Sequence, residues 1–383
     1  IQKIRKDTEA LKYLQETPEN TSVLPTLEIS DIPPEVKLIR ETESIDNVTT
    51  YRQPTSGIFY FSAALGSGEI SEELTPLLPF FCHALTKSGT KQRDYTEVVR
   101  RIDAYTGGIS FSTQARTFYG DTNLSDPGPC IPFISIGGKC LVRNLDKMFE
   151  IIDEFLTGYA FSDLSRLQNL LLEYRSALES MIVHSGHRLA ISLASRNFSL
   201  SAALNENWHG VHQVKVIKAL TDDLSEKKLK EIARDLNAIG KTLFSRNNLK
   251  VALIGEEDPL KRAVSLVKEM EKKLPENENA GFSASGLSEA FLPEEIPHEG
   301  WSTSSAVSFV ARTFRTVRMG HEDSPALSVI AKLLRSLYLH REIREKGGAY
   351  GGFSIYSPED GQFCFASYRD PHIANTLNVY EQA

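Results

Sequence analysis

The chain is poor in cysteine, in long apolar runs and in basic excess, and each shortage removes a class of function. Its 383 residues include four cysteines. These are Cys82, Cys130, Cys140 and Cys364, far apart and with no Cys-x-x-Cys pair among them. That spacing argues against a zinc knuckle and a disulfide scaffold, and it predicts reduced, partly buried thiols in a cytosol-like compartment. No apolar run approaches the ~18 residues that a membrane-spanning helix needs. The formal net charge is −7, and the one basic run, Lys227-Lys228-Leu229-Lys230, is flanked by Glu226 and Glu231. Without a positive field nucleic acid is not an expected partner, and the run reads as a solvated helix face.

Self-contained catalytic signatures are missing as well. There is no Gly-x-Ser-x-Gly elbow, and no cysteine sits in a nucleophile signature. His184-x-x-His187 and His209-x-x-His212 would each place two imidazoles on one face if helical, but a catalytic zinc needs three protein ligands, and neither pair carries a glutamate at motif spacing. Both pairs read as surface or helix-packing histidines, and no metal site is expected in this chain.

What is present is an ordinary globular composition, 41% hydrophobic and 24% charged, in a chain long enough for two domains. It opens Ile-Gln-Lys without a signal-peptide pattern and ends inside a helical stretch, so it reads as a fragment of a longer protein. Residues 1–35 form a helical connector, with helix up to about Asp31 broken by the polar turn Thr17-Pro18-Glu19-Asn20 and closed by Pro33-Pro34. Residues 36–245 form a first α+β domain. Its strands are expected at Val36–Thr42, Val48–Gln53, Gly57–Leu65, Ile109–Thr117 and Phe133–Val142, with Gly57–Leu65 covered on both sides. Its helices are expected at Glu72–Thr86, Tyr95–Tyr105 and Leu145–Phe155. A longer one opens at Asp163 with the seam Leu164, Leu167, Leu171, Tyr174, Leu178 and Met181.

Residues 246–383 form a second α+β domain, starting with a strand at Leu249–Ile254 and a helix at Pro259–Lys273. An acidic surface loop from Pro275 to about Gly286 precedes a strand at Ser305–Arg315. Ala326, Ile330, Leu333 and Leu337 define the buried face of the next helix, and Tyr350–Tyr356 with Gln362–Tyr368 forms a hairpin. Gly107-Gly-Ile-Ser-Phe-Ser112 and Gly351-Gly-Phe-Ser-Ile-Tyr356 both begin strands, the trace that a duplicated domain would leave.

The densest signal is Arg344-Glu-Lys-Gly347-Gly348-Ala-Tyr350-Gly-Gly-Phe353, between a periodic helix and an alternating strand. A phosphate loop puts its glycines before a helix, and here they follow one, so the polarity is wrong for nucleotides. Gly347 as a helix cap, Gly348 as the reversal and Arg344 as a dipole-complementing cation account for all of it except Tyr350. A cap and an active-site segment both remain open on these residues alone.

Arg344-Glu-Lys-Gly-Gly-Ala-Tyr350-Gly resembles the C-terminal half of pitrilysin-type zinc metallopeptidases of the presequence-protease subfamily. Leu24-Pro25, Leu27 and Asp31-Ile-Pro-Pro34 resemble the connector between the halves of those enzymes. The resemblance implies two related domains of the LuxS/MPP-like metallohydrolase type, each a largely antiparallel sheet with helices on one face, here the third and fourth domains of the full enzyme. It implies that the zinc and the inverted His-x-x-Glu-His motif sit in a missing N-terminal half. Phe80-Phe-Cys-His83-Ala84, followed by Lys87-Ser-Gly-Thr90, is similar to a degenerate copy of that motif.

By the same resemblance Arg344 and Tyr350 reach the substrate near the zinc, as catalytic and substrate-binding residues, with Gly347 and Gly348 as the backbone turn. The expected function is then degradation of short unstructured peptides, with the N-terminal half as partner and this piece inactive alone. The expected location is a bacterial cytoplasm or, alternatively, the mitochondrial matrix or another organelle. The alternative function is a non-catalytic peptide-binding or scaffold protein of the same fold.

Overall fold

In the computed structural model, which describes residues 2–16, 24–119, 129–277, 281–283 and 296–383, the chain divides into Ile1–Arg40 and Glu41–Ala383. The first unit holds helix α1 (Gln2–Glu16) and a single 3-10 turn, Ile29–Asp31. The Asp31 carboxylate accepts from the Glu28 N–H at 2.9 Å and closes that turn. Helix thus stops well short of Asp31, while the polar turn at 17–20 and much of the acidic loop expected from Pro275 to Gly286 lie outside the described residues. The segment 36–42, expected as a strand, is not one. Branched side chains favour a strand where a neighbour accepts the ladder, and Val36, Leu38 and Ile39 are exposed. Pairing begins at Thr42, whose N–H donates to the Thr50 carbonyl at 2.7 Å.

Alternation of large apolar with small or polar side chains builds the main sheet. Its strands are β1 (Glu43–Ile45), β2 (Val48–Arg52), β3 (Ile58–Gly66), β4 (Ile109–Thr117), β5 (Cys130–Leu141) and β6 (Leu249–Gly255), ordered β1-β2-β6-β3-β5-β4. The pairing is antiparallel except between β2 and β6. Phe59, Phe61, Ala63 and Leu65 of β3 are buried while Tyr60 and Ser62 are exposed, and β4 repeats this with Ile109, Phe111, Thr113 and Ala115 against Ser110 and Ser112. The sheet therefore has one packed face and one open face, and β3 is not covered on both sides as expected. The strand at 249–255, expected in the second domain, is bonded between β2 and β3 of this first sheet.

Helices line the packed face: α2 (Leu78–Leu85), α3 (Tyr95–Tyr105), α4 (Leu145–Gly158), α5 (Leu164–Ser195), α6 (Leu200–His209), α7 (Val211–Thr221), α8 (Glu226–Leu243) and α9 (Glu257–Glu271). Proline at the entry shortens α2 relative to expectation, leaving a 3-10 turn at Thr75–Leu77 before it. Side chains of Asp94, Asp163, Ser199 and Ser225 each accept an N–H of the first turn, which is why α3, α5, α6 and α8 begin where they do. Phe149 of α4 packs 6.3 Å from Phe59 and 5.5 Å from Phe61.

The second sheet orders β7 (Ala311–Arg315), β8 (Gly351–Ser357) and β9 (Gln362–Tyr368) as β7-β9-β8, all antiparallel. The order β3–β5–β4 recurs as β7–β9–β8, so the duplication hinted at by the two Gly-Gly segments is present in the topology. One face carries α10 (Ser324–Leu333), its continuation in wider π-type turns over Leu334–Lys346, and α11 (Ala374–Gln382). Phe365 stacks there on Tyr380 at 5.3 Å. The buried stripe of α10 and its continuation is Leu327, Ala331, Leu339 and Ile343, whereas Ala326, Ile330, Leu333 and Leu337 are exposed, with Leu337 at 69%. The helix has two apolar stripes one residue apart, and periodicity picked the outer one.

The C-terminal half of α5 covers the other face over β7 and β9. Ser185 breaks the helical dihedrals of α5 (φ −138, ψ 27), and Gly186 then receives the Phe309 ring, which a Cβ at 186 would meet at 2.3 Å. Helix propensity alone would make Gly186→Ala stabilising by about 1 kcal/mol, but a clash of that size reverses the sign by about 1–3 kcal/mol. We expect Gly186→Ala to lower the urea midpoint and a Phe309→Ala background to recover part of the loss. Additive effects of the two substitutions would contradict the contact.

Candidate functional site

The glycine turn is a helix end tied to a strand start. Gly347 ends the wide-turn helix, and Gly348 takes φ +76, a left-handed conformation that side chains disfavour. The Gly348 N–H donates to the Arg344 carbonyl at 3.0 Å and the Ala349 N–H to the Ile343 carbonyl at 3.1 Å. A Cβ on Gly347 would lie 2.6 Å from the Ile343 carbonyl oxygen. The cap reading therefore describes the backbone, and the side chains go elsewhere. Tyr350 is 63% exposed, and the Arg344 guanidinium lies 5.5 Å above its ring. The structure brings the two predicted side chains together on the surface.

Further residues surround them, and of these the sequence did not single out Arg335, Tyr368 or Arg369 as site residues, nor place His187 beside them. The Tyr350 N–H donates to the Tyr368 carbonyl at 3.0 Å, and its ring stands edge-on to Tyr368 at 5.5 Å. His187 of α5 packs against Tyr368 at 4.7 Å and Phe353 at 5.5 Å. The Tyr368 hydroxyl donates to the His184 carbonyl at 3.2 Å. Arg335 lies 5.1 Å over Phe353 and Arg369 lies 5.6 Å over Tyr368. The signal that joins them is strand register, Gly351 opposite Tyr368 and Phe353 opposite Ala366, which no local motif displays. Burial and the Arg188 charge hold the His187 imidazole below its ordinary value, so it is neutral near pH 7.

The degenerate segment in α2 does not fit a zinc ion. Phe80, Phe81, Cys82 and Ala84 are buried in the core. His83 presents Nε2 to the Lys87 ammonium at 3.3 Å, and that ammonium pairs with Glu173 at 2.9 Å. Burial first, and then Lys87, lowers the His83 pKa, so a cation already stands beside the one imidazole. Among the described residues no three His, Cys, Asp or Glu side chains converge as a metal site. The two His-x-x-His pairs do not converge as ligands either. The break at Ser185 separates His184 from His187, while His209 bonds the Thr113 hydroxyl at 3.0 Å on one helix and His212 bonds Glu206 at 3.1 Å from the next. All four cysteines are buried and free, and burial pushes Cys140 and Cys364 up to about 11, too high for nucleophiles.

The first sheet is open on one face, its β3–β5–β4 order recurs in the second as β7–β9–β8, and beside the second an exposed Arg–Tyr pair follows a Gly-Gly helix end. Residues 1–220 match the family model for the associated region of peptidase M16, subfamily C, and residues 299–383 match the "PreP C-terminal domain" model. The chain belongs to subfamily C of the peptidase M16 family. It is 31% identical over 377 residues to the mitochondrial presequence protease of Yarrowia lipolytica, covering 97% of this chain and 37% of that protein. It is 30% identical to Protein HypA of Clostridium perfringens, again with 97% and 37% covered. The chain thus spans little more than a third of the relatives it matches, in their C-terminal part. Among solved structures, the peptidase M16 inactive domain from Pseudomonas fluorescens shares the fold with a TM-score of 0.55 at 15% identity, covering 88% of this chain and 76% of that one.

Two half-buried histidines, His83 and His187, give a pH dependence with a definite sign. Both have lowered values, chiefly from burial. As pH falls through the ordinary histidine value of about 6.5, the unfolded chain binds protons that the folded chain refuses, so stability drops. The urea midpoint should fall between about pH 7 and pH 5.5, and His83→Gln should flatten part of that slope. A midpoint that rises on acidification over that range would contradict the assignment.

Proposed function

We propose that this chain is the C-terminal part of a zinc metalloendopeptidase that degrades short unstructured peptides. In this reading the zinc and the water-activating glutamate belong to the N-terminal part of the same polypeptide. The observation that carries it is the exposed pair Arg344 and Tyr350, fixed side by side on a glycine-closed helix end. A peptide carbonyl under attack gains negative charge on its oxygen. A guanidinium and a phenol brought to that oxygen stabilise it, and the same donors hold the peptide backbone in register beforehand. The open sheet face, with Tyr60, Ser62, Ser110 and Ser112 unburied, suits one wall of a chamber that closes over an extended chain. By itself the chain would be inactive.

The relatives named presequence proteases are labelled mitochondrial or chloroplastic, and a bacterial relative stands beside them. Four buried free thiols suit a compartment that keeps cysteine reduced, a bacterial cytoplasm or an organelle matrix. In the full-length protein, Arg344→Ala and Tyr350→Phe should each lower kcat for an unstructured peptide by about 10²–10³-fold, the loss typical of one transition-state donor. Unchanged cleavage by both would leave the chain as a peptide-binding scaffold of the same fold.

A further inference from the structure

We propose that Arg369 is a third substrate contact, and that the arginine–aromatic patch around it binds a carboxylate carried by the extended peptide. The proposal rests on the reading of Arg344 and Tyr350 given above. Arg369 follows β9 directly and holds φ +49, a left-handed conformation that a non-glycine residue adopts at a cost and that clusters at ligand sites. Its own carbonyl accepts from the Tyr350 N–H at 3.4 Å, so the turn bearing Arg369 and the turn bearing Tyr350 are bonded together. Its guanidinium lies over Tyr368, whose ring touches Tyr350.

Charge makes the case for an anion. Arg335, Arg344 and Arg369 are exposed and each stacks on an aromatic ring of one contiguous cluster, Phe353, Tyr350 and Tyr368, with His187 packed between the first and the last. None of the three forms an ion pair among the described residues. The neighbouring acids are engaged elsewhere: Glu342 with Arg341 and Lys346, Glu345 with His340, and the buried Asp370 with the Thr376 hydroxyl and the His372 N–H.

Stacking on a ring uses the face of a guanidinium and leaves its in-plane N–H fork for a ligand. Guanidinium groups set over one ring cluster without an acid partner are open to an anion, and their fork geometry matches a carboxylate bidentately. On a peptide that carboxylate is the free C-terminus or an Asp or Glu side chain. Both share this chemistry, and the substrate series tells them apart.

The test is steady-state cleavage by the full-length protein of one unstructured peptide in three forms: as the free acid with one internal Glu, with that Glu changed to Gln, and as the Glu-free C-terminal amide. Wild type should favour the carboxylate-bearing forms by about tenfold, expressed in KM, as one charge-assisted bidentate contact supplies. Loss of preference on the Glu-to-Gln change assigns the side chain, and loss only on amidation assigns the C-terminus. Arg369→Gln should erase the preference, and Arg369→Lys should restore part of it, which a purely structural role would not do. A wild-type enzyme blind to peptide carboxylates, or an Arg369→Gln variant that lowers kcat alike for all three peptides, overturns the proposal. If Arg344→Ala and Tyr350→Phe cripple kcat while Arg369→Gln changes nothing, this inference alone fails. If all three are silent, the functional reading fails with it.

Discussion

Helix α5 is shared by both sheets, and the position of everything else follows from it. Its first half buries Leu167, Leu170, Leu171 and Leu178 in the core of the six-stranded sheet. Beyond the break at Ser185 it changes partner: Gly186 seats Phe309, His187 lies on Phe353 and Tyr368, and the Ser195 and Thr313 hydroxyls meet at 3.2 Å. One helical segment, kinked at Ser185 and packed on both sides of that kink, limits the freedom between the two layers. The arginine–tyrosine pair is thereby referenced to the first sheet although it sits at the end of the second.

A second joint limits rotation about that helix. The turn between β8 and β9 lies against the end of β4, where Arg116 grips Glu359 with bonds of 3.0 and 3.2 Å, and Asp360 accepts from the Thr117 hydroxyl and, at 2.6 Å, from the Ser201 hydroxyl. The buried Arg318 donates to the carbonyls of Glu359 at 2.9 Å and Phe118 at 3.0 Å. The Arg116–Glu359 pair is exposed, while the Asp360 and Arg318 contacts are charge-assisted and partly shielded from water, and contacts of that second kind hold orientation better than exposed ion pairs do. Two separated joints, one apolar and one polar, define the relation of the sheets, and sites that depend on sub-ångström placement need that kind of support.

How much was legible in the sequence depends on how local the cause was. Asp94 and Asp163 announce their helices because the cap bond spans three residues, and the hairpin at Ser357–Gly361 carries its own turn chemistry. The partner of β6 was not legible, because its parallel neighbour β2 lies about 200 residues away and nothing in Leu249–Gly255 names it. The buried side of α10 was misjudged because Leu327 and Ala331 form a second stripe beside Ala326 and Ile330, and only the sheet decides which is covered. At the site, Arg344, Gly347, Gly348 and Tyr350 stand in one motif and were found together. Tyr368, Arg369 and His187 join them through strand register and a helix some 150 residues upstream, so the motif showed half of a patch that three elements assemble.

The outer stripe of α10 and its continuation bears on how this molecule behaves in water. Val329, Ile330, Leu333 and Leu337 stand between 43% and 69% exposed along one helical edge, while the adjoining stripe is already committed to the second sheet. An apolar stripe wider than its one packing partner leaves the remainder to water, and here that remainder is an exposed apolar ridge. In water such a ridge favours the association of one copy with another, and the formal net charge of −7 works against it.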